Sequence, residues 1–129
     1  MSSEAVWLLG LLLGLQLKHL VADFMLQSRY MLAGKGRYGH PGGLAHAGLH
    51  GGLSAGVLAI AGVPPTAAAT IVLIEVLLHY HIDWRKERWT AEHALTSAQP
   101  QFWIALGVDQ LLHQVTYLLM VGAALFSIG

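Results

Sequence analysis

Four apolar stretches dominate this 129-residue chain, each close to the ~20 residues a helix needs to cross ~30 Å of hydrocarbon. They run from about Val6 to Gln27, Gly43 to Gly62, Thr66 to Trp84 and Phe102 to Ile128. Over such lengths in lipid, only a helix satisfies its own backbone hydrogen bonds. Charge content separates this reading from four buried helices of a soluble bundle. Only 11% of the residues are charged, against about a quarter in a soluble domain. The expected fold is therefore all-α: an integral membrane bundle of four transmembrane helices in one polytopic domain, residues 1–129. Net charge is zero, so no basic field exists to attract nucleic acid. With no cysteine, thiolate metal sites and Cys nucleophiles are excluded.

The spans, about 6–27, 43–62, 66–84 and 102–128, leave two polar loops at about 28–42 and 85–101. Gly62-Val63-Pro64-Pro65 reads as a tight turn. In the first polar loop, His40-Pro41-Gly42-Gly43 is expected to break any helix. The second has room for a short surface helix, with Trp84 and Trp89 suited to the membrane interface. The first stretch lacks a basic leader and a small-residue cleavage signal, so it reads as a retained helix. Arg29, Lys35 and Arg37 follow the first span, and Arg85, Lys86 and Arg88 follow the third. The other connections carry no Lys or Arg. The positive-inside rule then places both polar loops in the cytoplasm and both termini on the outer, periplasmic side.

Eight histidines are costly in so apolar a chain. Each span carries one ionisable pair four residues apart: His19/Asp23, His46/His50, His79/Asp83 and Asp109/His113. Side chains at i and i+4 share a helix face. All eight fall within ~17 Å of the cytoplasmic boundary at ~1.5 Å of rise per residue. Such groups must face inward and pair. Five imidazoles and three carboxylates are ligand enough for one or two divalent transition metals, with Zn, Fe and Mn all suited. Some would instead hold a ligating imidazole by its other nitrogen. A metal-free His–Asp network or proton relay is the plainer alternative. Haem fits poorly: His46, His50, His79 and His113 could supply axial ligands, but the three carboxylates would stand idle.

Neighbouring residues have separate readings. Glu75 lies one turn from His79 on the same stripe, placed as a general base or as a protonated acid bonded to a neighbour. Gln27, Gln110 and Gln114 read as helix–helix hydrogen-bonding groups. Lys18 is expected to point away from the His19 face or to snorkel to the interface. His81 falls on the far side of its helix from His79, and His40 and His93 lie in loops. Gly48, Gly52 and Gly56 form a ridge roughly opposite the His46/His50 face. The ridge permits close helix approach within the bundle or in a homodimer.

The ordered elements His19-xxx-Asp23-Phe24-xx-Gln27, His46-xxx-His50, His79-xxx-Asp83 and Asp109-Gln110-xx-His113 carry a family resemblance. From about residue 7 to 126 the chain resembles the small bacterial membrane proteins grouped as domain of unknown function 3307. A basic residue following the third-span aspartate corresponds to Lys86. The resemblance implies the four-helix topology and a multi-pass place in the bacterial inner membrane. It implies no particular activity.

Four functions follow from the residues. The first is a metal-dependent membrane hydrolase, in which a metal-activated water attacks a lipid or amphiphilic substrate. The second is a non-haem di-iron oxidoreductase acting on lipid or quinone. The third is metal-ion or proton transport, which the apolar outer halves of three spans oppose. The fourth is a structural subunit among the partners of a larger membrane complex.

Overall fold

The computed structural model describes residues 2–129. The described residues form five α-helices: α1 (Ser3–Leu20), α2 (Arg29–Gly34), α3 (Pro41–Ile60), α4 (Pro65–Glu92) and α5 (Pro100–Ile128). No strand occurs among the described residues. A π-helical segment, Val21–Leu26, continues α1, giving an unbroken Ser3–Leu26 rod. This rod, α3, α4 and α5 are each long and apolar enough to cross a membrane.

Local chemistry sets the helix starts. The Ser2 hydroxyl accepts a hydrogen bond from the Ala5 N–H at 3.2 Å. Helices α3, α4 and α5 each begin on a proline, whose fixed φ suits the first helical position and whose missing N–H is no loss there. The expected break at His40-Pro41-Gly42-Gly43 is thus a start. His40 Nδ1 accepts from the Gly42 N–H at 3.0 Å, and α3 begins at Pro41. Two further differences concern the polar loops. The first contains α2, capped by the Ser28 hydroxyl on the Met31 N–H. The second has no separate surface helix, because α4 runs without interruption to Glu92.

Helix α3 ends in a closed turn. Val63 N–H donates to Leu58 O, Gly62 N–H donates to Ala59 O, and Gly62 takes the left-handed φ of 76° that the turn requires. This short connection makes α4 antiparallel to α3. Helix α1 packs on α3 and α5, and α4 also packs on α3 and α5, so the four rods form a square with alternating directions. Helix α2 folds back on α3. Tyr38 seats this loop against the rings of Tyr80 and Trp84, and the Tyr80 hydroxyl accepts from the Gly39 N–H at 2.6 Å.

The bundle interior divides by depth. One half is apolar: Leu11, Leu15, Leu58, Val63, Ile71, Met120, Val121 and Ala124 pack with Tyr117. The other half holds the buried polar residues. Leu9, Leu13, Leu73, Leu77, Leu111 and Leu118 stand exposed around the circumference, as lipid-facing positions do. Close approach of α3 to α4 occurs at Gly51, where a Cβ would meet Val72 Cγ1 at 3.2 Å. The Gly48/Gly52/Gly56 ridge does not pack within the bundle: a Cβ at any of the three would meet nothing within 4 Å.

Candidate metal centre

Each long helix delivers its ionisable pair to the polar half of the bundle. Buried positions on α1 are Leu11, Leu15, Lys18 and His19, and Ala22 follows in the π segment, an inward stripe at helical spacing. The π turn carries Asp23. On α3 the stripe is His46, His50 and Ser54; on α4 it is Ile71, Glu75, His79 and Asp83; on α5 it is Asp109, His113 and Tyr117.

Two carboxylates organise the cluster. Asp23 Oδ1 lies 3.0 Å from His50 Nε2 and 3.1 Å from His46 Nε2, while its Oδ2 lies 3.1 Å from His19 Nε2. Asp83 Oδ1 lies 3.2 Å from His113 Nε2. Asp83 Oδ2 lies 2.8 Å from Lys35 Nζ, 3.3 Å from His46 Nε2 and 3.4 Å from His79 Nε2. Between the carboxylates the imidazoles crowd face to face. The His79 ring centre is 3.8 Å from that of His50 and 4.2 Å from that of His113.

Proximity here is not the same as hydrogen bonding. His46 and His79 are fully buried, yet neither nitrogen of either ring has a hydrogen-bond partner. The carboxylate oxygens near their Nε2 atoms are close in distance but poorly aligned with the ring. Buried polar atoms left in this way cost ~1–3 kcal/mol each unless something else satisfies them.

Six of the eight expected ligands form two overlapping groups. Asp23, His46, His50 and His79 offer donor atoms all within 4.8 Å of one another, as do His79, Asp83 and His113. His79 is common to both groups, and one ring nitrogen, with its single lone pair, can serve only one ion. Assigned to the second, it leaves two matched sets, Asp23–His46–His50 and Asp83–His79–His113. Each has two imidazoles and one carboxylate, and each pairs i,i+4 residues of one helix with a carboxylate or imidazole of another. Three protein ligands leave a coordination position open on a tetrahedral ion.

His19 and Asp109 stand outside both groups. His19 is held by hydrogen bonds, from Nδ1 to the Tyr117 hydroxyl at 2.6 Å and from Nε2 to Gln110 Oε1 at 3.2 Å. Asp109 Oδ2 accepts from Gln110 Nε2 at 3.1 Å, and Oδ1 lies 3.6 Å from His113 Nε2 with no hydrogen-bond partner. Gln114 bonds Gln16 across α1 and α5, as a helix-joining amide does, whereas Gln27 Nε2 donates to the Asp23 carbonyl one turn back on its own rod and does not join two helices as expected. His40, His81 and His93 lie away from the cluster: His40 caps α3, His81 is exposed against Tyr38, and His93 is exposed against Trp89.

One lysine departs from its expected place, and a second reaches the cluster from the polar loop. Lys18 does not face the interface. It is 5% exposed, ion-paired with Glu75, and its Nζ lies 3.2 Å from His50 Nδ1 and 4.7 Å from the Tyr117 ring centre. The reason is that α1 packs on two helices, so its inward arc is wide enough for both residue 18 and residue 19. The Leu11–Leu15–Lys18–Ala22 spacing carried that signal. Glu75 accordingly has a cation beside it, although its Oε2 has no partner. Lys35 is no solvated loop charge, because α2 folds it over the end of the cluster onto Asp83. Tyr117 continues the Asp109–His113 stripe by one turn, and that spacing alone does not announce its hydroxyl contact with His19.

An ammonium group only donates, so the Lys18 contact leaves the lone pair on His50 Nδ1 and the hydrogen on Nε2, which donates to Asp23.

The family described as Protein of unknown function (DUF3307) matches residues 11–128, and the chain belongs to that family. No curated protein and no solved structure matches it.

Proposed function

We propose that this family member is an integral membrane metalloenzyme of the bacterial inner membrane, with the metal centre near the cytoplasmic face and a hydrolase activity on a lipid or amphiphilic substrate. The observation that carries the reading is the pair of two-imidazole, one-carboxylate sets, with His46 and His79 buried and unpartnered between them. Asp23, His46 and His50 would hold one ion, and His79, Asp83 and His113 the other. Bound divalent metal supplies Lewis acidity and lowers the pKa of a coordinated water toward ~7. In the reaction, water adds across an ester or phosphoryl bond. Its oxygen goes to the acyl or phosphoryl centre, and its proton goes to the departing alkoxide. Tyr117 and Gln110 orient His19 against Asp23, and Lys35 orients Asp83. Glu75, paired with Lys18 beside His50, is placed to exchange a proton with the site through that lysine.

The depth profile opposes transport. Among the described residues, buried polar side chains run from the cluster only as far as Ser54, Glu75 and Thr116, and none lies at the level of Leu11, Leu58, Ile71 and Val121. The same ligand type also suits ferrous iron in oxygenases, so a non-haem iron oxidoreductase is the second reading. The open glycine ridge leaves a surface for a second copy of the chain.

Elemental analysis of untagged, detergent-purified protein tests the proposal. About two equivalents of Zn, Mn or Fe per chain are expected, one for each three-ligand set. Zinc or manganese would support hydrolysis, and iron would favour redox chemistry. His46→Ala and Asp83→Asn should lose metal, whereas His40→Ala and His93→Ala should retain it. Full metal content in His46→Ala would refute the assignment. Because ligating groups must be unprotonated, uptake should release protons from any that carry one, and affinity should strengthen as pH rises. Isothermal titration in buffers of different ionisation enthalpy would read that release.

A further inference from the structure

A groove of about 390 Å³ runs between the second half of α4 and the first half of α5. Its α4 wall is Ile82, Arg85, Lys86 and Trp89, and its α5 wall includes Ile104, Ala105, Val108, Asp109 and Leu112. The spacing on each helix is that of one continuous face. The groove is open on the lipid side, since Ile104, Val108 and Leu112 are exposed. Asp109 belongs both to the groove and to the cluster. It is 6% exposed, its Oδ1 is buried without a hydrogen-bond partner, and that oxygen lies 3.6 Å from His113 Nε2.

The walls are chemically sorted. Ile82 and Leu112 lie toward the middle of the bundle by helix register, and form an apolar slot. Arg85 and Lys86 stand one turn nearer the polar end of α4. Lys86 is engaged by Glu87 at 2.6 Å. Arg85 has no carboxylate partner among the described residues, and its guanidinium carbon lies 5.8 Å from the Trp89 ring centre. An apolar slot ending at an unpaired guanidinium, with an interfacial tryptophan beside it, matches an acyl chain joined to an anionic headgroup.

We propose that this groove binds an anionic glycerophospholipid, its acyl chain along Ile82, Val108 and Leu112 and its phosphate at Arg85 and Lys86, and presents the headgroup to the cluster past Asp109. That this lipid is also the substrate rests on the hydrolase reading above; its binding does not.

Native mass spectrometry of the purified full chain tests this, with phosphatidylglycerol and phosphatidylcholine of identical acyl chains as probes. The wild type should retain phosphatidylglycerol with a preference of roughly thirtyfold, the scale expected for two basic side chains acting at the membrane surface. Ala105→Trp, which fills the groove, should abolish retention of both lipids. The Arg85→Gln/Lys86→Gln variant, changed only at the groove edge, should keep retention and lose the preference. The Arg29→Gln/Arg37→Gln variant should keep both. Equal retention of the two lipids by the wild type, or an undiminished preference in Arg85→Gln/Lys86→Gln, would overturn the proposal. Metal content measured on the same samples separates the two readings. Metal without lipid preference leaves the centre standing and removes the groove, and lipid preference without metal does the reverse.

Discussion

At the scale of single residues, the buried Lys18–Glu75 pair is the interaction whose loss should be felt most. Both side chains are almost wholly buried. Removing one partner leaves an uncompensated charge at a cost of about 3 kcal/mol or more, whereas removing both can be near neutral. Lys18→Met should therefore lower the thermal stability of the detergent-solubilised protein markedly, and Lys18→Met/Glu75→Gln should recover most of the loss. A double variant as unstable as the single one would mean that Lys18 acts through His50 and not through Glu75. This pair also marks the limit of what residue patterns convey. His46, His50, His79, Asp83 and His113 were legible because i,i+4 spacing assigns both members of a pair to one face, and buried imidazole has few uses. Lys18 was not, since snorkelling is the usual fate of a lysine in lipid and only the packing of α1 against two neighbours removes that escape. Tyr117 was hidden for a different reason: an aromatic residue at core spacing gives no sign that its hydroxyl meets a ring nitrogen.

Among the elements, two irregular helix ends matter. The π segment Val21–Leu26 places Asp23 where its two oxygens reach His19 on the same rod and His46 and His50 on α3. Single π turns inside α-helices recur at functional sites, but no residue code announces them, so an unbroken α-helix was the natural reading. The other irregular end is at α4. Leu95 N–H donates to Thr90 O and Ala94 N–H donates to Ala91 O, the same closure as at Gly62. Here the left-handed residue is Ala94, with φ 49°. A Cβ in that region costs ~1 kcal/mol that glycine does not incur. Ala94→Gly should raise the unfolding midpoint by an amount corresponding to about 1 kcal/mol, less the added freedom of glycine in the unfolded chain. A lower midpoint would show that the turn is held by something other than its backbone closure. The four apolar rods themselves were legible because length and hydropathy act together over ~20 residues. Helix α2 and the extension of α4 were not, because both lie in polar segments where capping and tertiary contact decide.

For the molecule as a whole, the sidedness of the charges is what bears on which face of the membrane the cluster approaches. Of seven basic residues, six lie in or beside α2 and the end of α4, and Lys18 is buried. Two of the six are partly spent inside the protein, Lys35 on Asp83 and Lys86 on Glu87. Arg29, Arg37, Arg85 and Arg88 remain exposed at that end, and the opposite end offers no basic residue at all. The basic bias therefore survives the internal pairing, and under the positive-inside rule the proposed orientation has α2 and the α4–α5 connection in the cytoplasm. The absence of native cysteine allows a direct reading with single-cysteine variants. Thr66 and Ser97 are both exposed and lie at opposite ends of the bundle. On intact cells, a membrane-impermeant maleimide should label Thr66→Cys, and Ser97→Cys should react only after permeabilisation. The reverse pattern would move the His/Asp cluster to the opposite, periplasmic side. A lipid presented along α4 and α5 would then come from the outer leaflet, and the exposed arginines would have to be retained for headgroup binding rather than for orientation.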